Sequence, residues 1–148
     1  MKILVVHGPN LNMLGKRDKS IYGEKTLPEI DALLRKEARA LSVDVVTFQS
    51  NHEGALVDFI QEQADSARGI IINPGALTYY GFSLLDALVD SKLPVIEVHL
   101  SNIYHREEWR AKSIIAPIAQ GQISGLGWRG YVVALQVLVS KLKAKPSH

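Results

Sequence analysis

Four short runs of apolar, largely β-branched residues punctuate this chain: Ile3 to Val6, Val43 to Phe48, Ile70 to Ile72 and Val95 to Val98, each closed by polar or turn residues. Runs so short and so apolar read as buried strands. Between them the spacing changes. Leu27, Ile30, Leu34, Ala38 and Leu41 fall on one helical stripe, and Leu56, Phe59, Ile60 and Ala64 on another. Strands alternating with helices favour a parallel sheet, because right-handed crossovers place the helices on both of its faces.

A third helix is predicted over Phe82 to Asp90 and a last one from about Trp128 to Lys143, with Tyr131, Leu135, Leu138 and Leu142 on one face. A weak fifth strand falls around Gln122 to Ser124. Together these predict an α/β fold, a flavodoxin-like, three-layer, doubly wound sheet of five parallel strands. Two helix starts carry the hydroxyl-and-carboxylate spacing of a capping box, Thr26 with Glu29 and Ser50 with Glu53. At 148 residues, 47% hydrophobic and 22% charged, the chain has the size and composition of one domain over 1–148. Its Lys-rich end, KLKAKPSH, reads as a frayed tail.

Charge and composition narrow the function. A formal charge of +2, from 17 Lys and Arg against 15 Asp and Glu, creates no field favouring nucleic acid or an anionic membrane, so an anion must be held by a local site. No apolar run approaches a membrane span, and MKILVVHGPN meets Gly and Pro after one short apolar stretch, unlike a signal peptide; the expected compartment is the cytoplasm. The absence of cysteine removes disulfides, thiolate metal sites and cysteine nucleophiles.

Ligands of open parallel sheets bind beyond the carboxyl ends of the strands. Here those ends are polar: His7, Gly8, Pro9, Asn10 and Asn12 follow the first strand, Gln49, Ser50, Asn51 and His52 the second, Asn73 the third, and His99, Ser101 and Asn102 the fourth. Singly, an Asn or Ser is accounted for as a cap or turn residue; four such ends together predict a site. Glu97 and His99 stand two apart on one strand, so both leave on the same face, where the carboxylate can orient the imidazole and favour its protonated form. A structural histidine paired at a sheet end is the competing account. The segment from Gly8 to Glu24 is long for a strand-to-helix connection, as lids and binding loops are, and carries Lys16, Arg17, Asp18, Lys19 and Tyr22. A tyrosine with a reference pKa near ~10 costs roughly 4 kcal/mol to ionise at neutral pH unless a cation helps, and Arg17 is the obvious helper. Spacing alone favours the plainer reading, with Arg17 a solvated surface charge and Tyr22 a hydrophobic anchor for the loop.

Four blocks then resolve the choice: HGPNLNMLGKRDKSIYG at 7–23, QSNHEGALVDFI at 49–60, INPGALTYYGFSLLDAL at 72–88 and IEVHLSNIYHREEWRAKSIIAPIAQGQISGLGWRGY at 96–131. In their order and approximate spacing the chain resembles the type II 3-dehydroquinate dehydratases along nearly its whole length. The resemblance implies anti elimination of water from 3-dehydroquinate through an enolate, a step of the shikimate pathway and of quinate breakdown, with no external cofactor. It implies Tyr22 as base, Arg17 lowering its pKa, His99 as acid with Glu97 orienting it, Asn73 stabilising the enolate oxygen, and Asn10 in the same polar cluster. It further implies that the Leu100 backbone and Ser101 hold the substrate carboxylate, while Arg110 and Asp86 address ring hydroxyls. His105 and Arg106 receive no role, and Lys16 and Lys19 are loop charges. A homo-oligomer, a dodecamer built from trimers, is implied as well.

The third block departs from the family pattern. Tyr79 stands where the family usually has a histidine contacting a substrate hydroxyl, Gly81 where it has serine, and Leu85 where it commonly has arginine before Asp86; His7 replaces a frequent asparagine. Besides a catalytically dead relative with a regulatory role, which the presence of Tyr22, Arg17, Asn73 and His99 disfavours, two other functions compete on these residues. One is a related dehydratase acting on a different hydroxylated cyclohexane carboxylate. The other is a non-catalytic flavodoxin-like binding module, although HGPNLNMLG lacks a phosphate-cradling glycine pattern.

Overall fold

The computed structural model describes residues 1–144. Strands β1 (Lys2–His7), β2 (Asp44–Gln49), β3 (Gly69–Asn73), β4 (Val95–His99) and β5 (Gly121–Ser124) form one sheet in the order β2-β1-β3-β4-β5. Every neighbouring pair is parallel. Each strand lies within one residue, at either end, of its sequence-based expectation. The helices are α1 (Lys19–Tyr22), α2 (Leu27–Ala40), α3 (Glu53–Gln63), α4 (Leu77–Tyr80), α5 (Phe82–Ser91) and α6 (Arg129–Ala144).

The runs Ile3 to Val6 and Ile70 to Ile72 are apolar throughout because both faces of the sheet are covered there. Ile3 and Val5 point into a core shared with Ile30 and Leu34 of α2 and with Leu135 and Leu138 of α6. Leu4 and Val6, one residue out of phase, point into a second core with Leu56 and Ile60 of α3 and Leu84 and Leu88 of α5. The result is the expected three-layer, doubly wound sheet.

At the start of α2 the capping box is present: Thr26 Oγ1 accepts from the Glu29 N–H at 3.4 Å and Glu29 Oε1 from the Thr26 N–H at 3.4 Å. The second expected box is not formed. His52 is the N-cap of α3, and Ser50 Oγ accepts from its N–H at 3.0 Å. Glu53 instead crosses to the neighbouring helix, where its carboxylate accepts from the Leu84 N–H at 2.9 Å in the first turn of α5. Gly81 leaves room for that reach, since a Cβ there would lie 2.7 Å from the Leu77 carbonyl oxygen and 3.4 Å from Glu53 Oε2.

The expected frayed tail is corrected in part. Lys141–Ala144 belong to α6, and Lys143 Nζ donates to the Leu41 carbonyl at 2.8 Å; a cation suits the negative end of a helix. Residues 145–148 of that expectation lie outside the described residues. Among the described residues, no helix is long and apolar enough to cross a membrane.

Candidate active site

Strand order reverses between β1 and β3, where the chain leaves first toward β2 and then toward β4, so the loops after these two strands part and open a crevice. The register aligns the polar ends along one edge. His7 pairs with Gln49 and Asn73, and His99 with Ser124. A cavity of about 570 Å³, its open mouth included, lies over this edge.

Backbone packing sets one wall. Gly8 lies against Pro74, where a Cβ would come within 2.3 Å of the carbonyl oxygen, and Gly75, at φ +59°, lies against Pro9. Two glycines are required because no side chain fits between the strand exits. Asn10 and Asn73, next in the chain to Pro9 and Pro74, both line the cavity. Asn10 takes the left-handed conformation, at φ 71°, and its N–H is held by Asn51 Oδ1 at 2.9 Å. Gln49 donates to the Gly8 carbonyl at 3.2 Å. The residues after β2 therefore brace the site without lining it; three strand ends converge on the cavity rather than the expected four, because β2 is the edge strand beyond β1.

His99 projects from the end of β4, and its Nε2 is hydrogen-bonded to the fully buried Glu97 on the same face. Thr78 Oγ1 donates to that carboxylate at 2.6 Å and Ser113 Oγ at 2.8 Å. Burial raises the Glu97 carboxyl, but the hydrogen bonds from His99, Thr78 and Ser113 outweigh it and hold the group below its ordinary value. The side chain is thus a buried anion, and with Nε2 committed to it the imidazole presents Nδ1 to the cavity. Beyond His99 the carbonyls of His99 and Leu100 accept from the N–H groups of Gly125 and Gly127. Because N–H and C=O of a trans peptide are antiparallel, the N–H groups of Leu100 and Ser101 leave on the opposite side. Both residues line the cavity there.

The long segment after β1 contains a short 3-10 turn at Leu11–Met13 and α1, which Asp18 caps by accepting from the Ser20 N–H at 2.9 Å. Tyr22, in α1, reaches the same cavity as His99. The Arg17 guanidinium lies 3.7 Å from the centre of its ring and that of Arg106 5.3 Å. Arg106, given no role from sequence, also donates to Ser101 Oγ at 3.4 Å.

Tyr79 stands edge-on to Trp109, ring centres 5.1 Å apart, and lines the cavity with Arg110. Burial raises its phenol pKa, against the pull of Arg110 and Arg106. Arg110 pairs with Glu107 and stacks on Trp109 at 4.1 Å. Asp86 is the exception among the residues expected to bind the substrate. It lies on α5, away from this cavity, because the buried face of that helix is taken by Leu84, Ala87 and Leu88. Lys16 and Lys19 also lie outside the cavity. Among the described residues no three His, Cys, Asp or Glu side chains are grouped to hold a metal ion.

The family described as dehydroquinase class II matches residues 1–139. The chain belongs to the class II dehydroquinase family. It is 61% identical over 139 residues to a 3-dehydroquinate dehydratase of Roseiflexus castenholzii, covering 94% of this chain and 88% of the relative. A 3-dehydroquinate dehydratase of Halothermothrix orenii is 50% identical over 142 residues, 96% of each chain. Among solved structures, the type II dehydroquinase of Butyrivibrio crossotus superposes with a TM-score of 0.90 at 44% identity, covering 93% of this chain and 97% of that one. That of Propionibacterium acnes gives 0.90 at 41% identity, with 94% and 96% covered. The flavodoxin-like α/β architecture is shared with these dehydroquinases.

Proposed function

We infer that this chain catalyses the anti dehydration of 3-dehydroquinate to 3-dehydroshikimate through an enolate. Family membership supports the overall reaction. One observation carries the assignment of residues: a tyrosine flanked by two guanidiniums and a histidine bonded to a buried carboxylate line the same cavity. Tyr22, as phenolate stabilised by Arg17 and Arg106, takes the proton beside the ketone. Asn73 donates an amide N–H to the enolate oxygen that forms. The enolate then collapses, expelling the ring hydroxyl, which His99 protonates from Nδ1 while Glu97 compensates the charge. The N–H groups at Leu100 and Ser101 hold the substrate carboxylate, Asn10 belongs to the polar wall beside Asn73, and Tyr79 and Arg110 face the ring hydroxyls.

A homo-oligomer, a dodecamer built from trimers, is part of the same proposal. It draws support from α5, which leaves Phe82 and Val89 exposed on either side of Asp86 in the chain. A contact between Asp86 and a ring hydroxyl requires a second copy, since its own cavity is elsewhere. The cytoplasm, assigned from the sequence, is the compartment proposed.

The test is direct. Purified protein mixed with 3-dehydroquinate, without added metal or cofactor, should generate the ultraviolet absorption of a conjugated product. Tyr22→Phe and His99→Ala should each lower kcat by about 10²–10⁴-fold. Rates unaffected by either substitution would overturn the assignment.

A further inference from the structure

His7 is completely buried at the end of β1, and both ring nitrogens are engaged. Its Nε2 meets Asp31 Oδ1 of α2 at 2.8 Å, and its Nδ1 meets the Tyr131 hydroxyl of α6 at 2.9 Å. Tyr131 is itself fully buried, and the Asn73 amide faces its oxygen. The register supports that approach, because His7 and Asn73 are directly paired on adjacent strands and alternate to the same side of the sheet. Asp31, with its side chain 15% exposed, is the end of this row that meets solvent.

We propose that Asp31, His7 and Tyr131 form a positioning relay that fixes the Asn73 amide with an N–H, rather than its oxygen, turned into the cavity. A carboxylate can only accept, so in the neutral imidazole the single N–H lies on Nε2 and Nδ1 accepts from the Tyr131 O–H. The Tyr131 oxygen is then left with lone pairs facing Asn73. From the other side, Asn73 Oδ1 accepts from the Gly75 N–H at 3.2 Å. A flipped amide would set its oxygen against the lone pairs of Tyr131 and its NH₂ against the Gly75 N–H, two repulsions in a buried site. Burial keeps the Tyr131 phenol protonated far above the ordinary tyrosine range, so it retains an O–H to donate to His7 Nδ1. The relay acts on the enolate because an N–H aimed before the reaction stabilises the developing oxyanion without reorganisation.

This inference rests on the role of Asn73 proposed above, and a double-mutant cycle separates the two. Tyr131→Phe, Asn73→Ala and the double variant are compared by steady-state kinetics and by single turnover with enzyme in excess, which keeps slow variants measurable. Tyr131→Phe should lower kcat about three- to tenfold, with KM within about twofold of the parent, the effect of one misaligned hydrogen bond. In the Asn73→Ala background the same change should have no further effect, since the group it positions is gone. Losses that multiply, or a Tyr131→Phe enzyme with unchanged kcat and only a lower Tm, would overturn the relay. An Asn73→Ala enzyme with unchanged kcat would remove Asn73 from the reaction, and the relay with it. His7→Asn, too short to reach both partners, repeats the cycle and decides between these outcomes should Tyr131→Phe fail to fold.

Discussion

Glu97→Gln tests the acid half of the site with almost no change in shape. The carboxylate is fully buried and is bonded by His99, by Thr78 at 2.6 Å and by Ser113 at 2.8 Å. Its charge attracts a protonated imidazole by about 4 kcal/mol, taking a separation of about 4 Å and an effective dielectric constant near 20. The neutral amide removes that attraction but still forms hydrogen bonds, because the Thr78 and Ser113 hydroxyls can rotate to accept. On stability the effects nearly cancel: three charge-assisted hydrogen bonds become neutral, losing about 1 kcal/mol each, while an amide costs several kcal/mol less to bury than a carboxylate. Tm should therefore move by only a few degrees. Catalysis has no such offset, and kcat should fall by about 10²–10³-fold. Glu97 does not line the cavity, so KM should stay within about threefold. The assay is product absorbance across a pH series with a thermal melt on the same sample. A kcat within about threefold of the parent, with an unmoved pH profile, would refute the claim that this carboxylate maintains the acid.

Other outcomes follow from the same structure. Tyr79→His restores the residue usual in the family and removes a phenol now packed against Trp109; KM should fall about two- to tenfold, and unchanged kinetics would count against a substrate contact at this position. Gly8→Ala places a Cβ within 2.3 Å of the Pro74 carbonyl oxygen and should destabilise by about 1–3 kcal/mol or more in chemical denaturation, whereas Gly54→Ala, with open space around it, should not destabilise. The pH dependence of stability should carry Tyr131. Its folded pKa is raised by burial, so its contribution is complete below the unfolded pKa near ~10 and is lost as pH rises toward the folded value. Tyr131→Phe should flatten the alkaline limb of the stability curve; an equally steep limb would assign it to other groups. Glu97 has the opposite sign, its depressed carboxyl contributing above the unfolded pKa near ~4.3 and losing that contribution as pH falls through the folded one.

What is legible in the sequence is what short-range physics determines. The runs Ile3 to Val6 and Ile70 to Ile72 are apolar because they are covered on both faces, and the Thr26–Glu29 box closes within one helical turn, so both are written in adjacent residues. Glu97 and His99 can be read together because a strand's period of two puts them on one face. Contacts made across the fold leave no such trace. Nothing near Glu97 in the chain announces Thr78 or Ser113, nineteen residues before it and sixteen after it. Glu53 matches a local cap but finds its partner in the first turn of α5. Arg106 gives no signal because charge in a loop is usually solvated, and only the return of that loop over Tyr22 gives it another part. Asp86 shares a sequence block with the site, yet the amphipathic turn of α5 points it away from the buried face.

The glycine contacts at Gly8 and Gly75 divide the cavity into two kinds of wall. Where main chain rests directly on main chain, there is no side chain to exchange and no slack to absorb a shift, so the Asn10 and Asn73 side is a fixed jaw. By contrast, Tyr79 and Arg110 are carried by α4 and the loop beyond β4, with side chains that can be swapped one at a time. Evolution or an engineer seeking to admit a differently decorated ring would find its freedom on that second jaw, where Tyr79 lies.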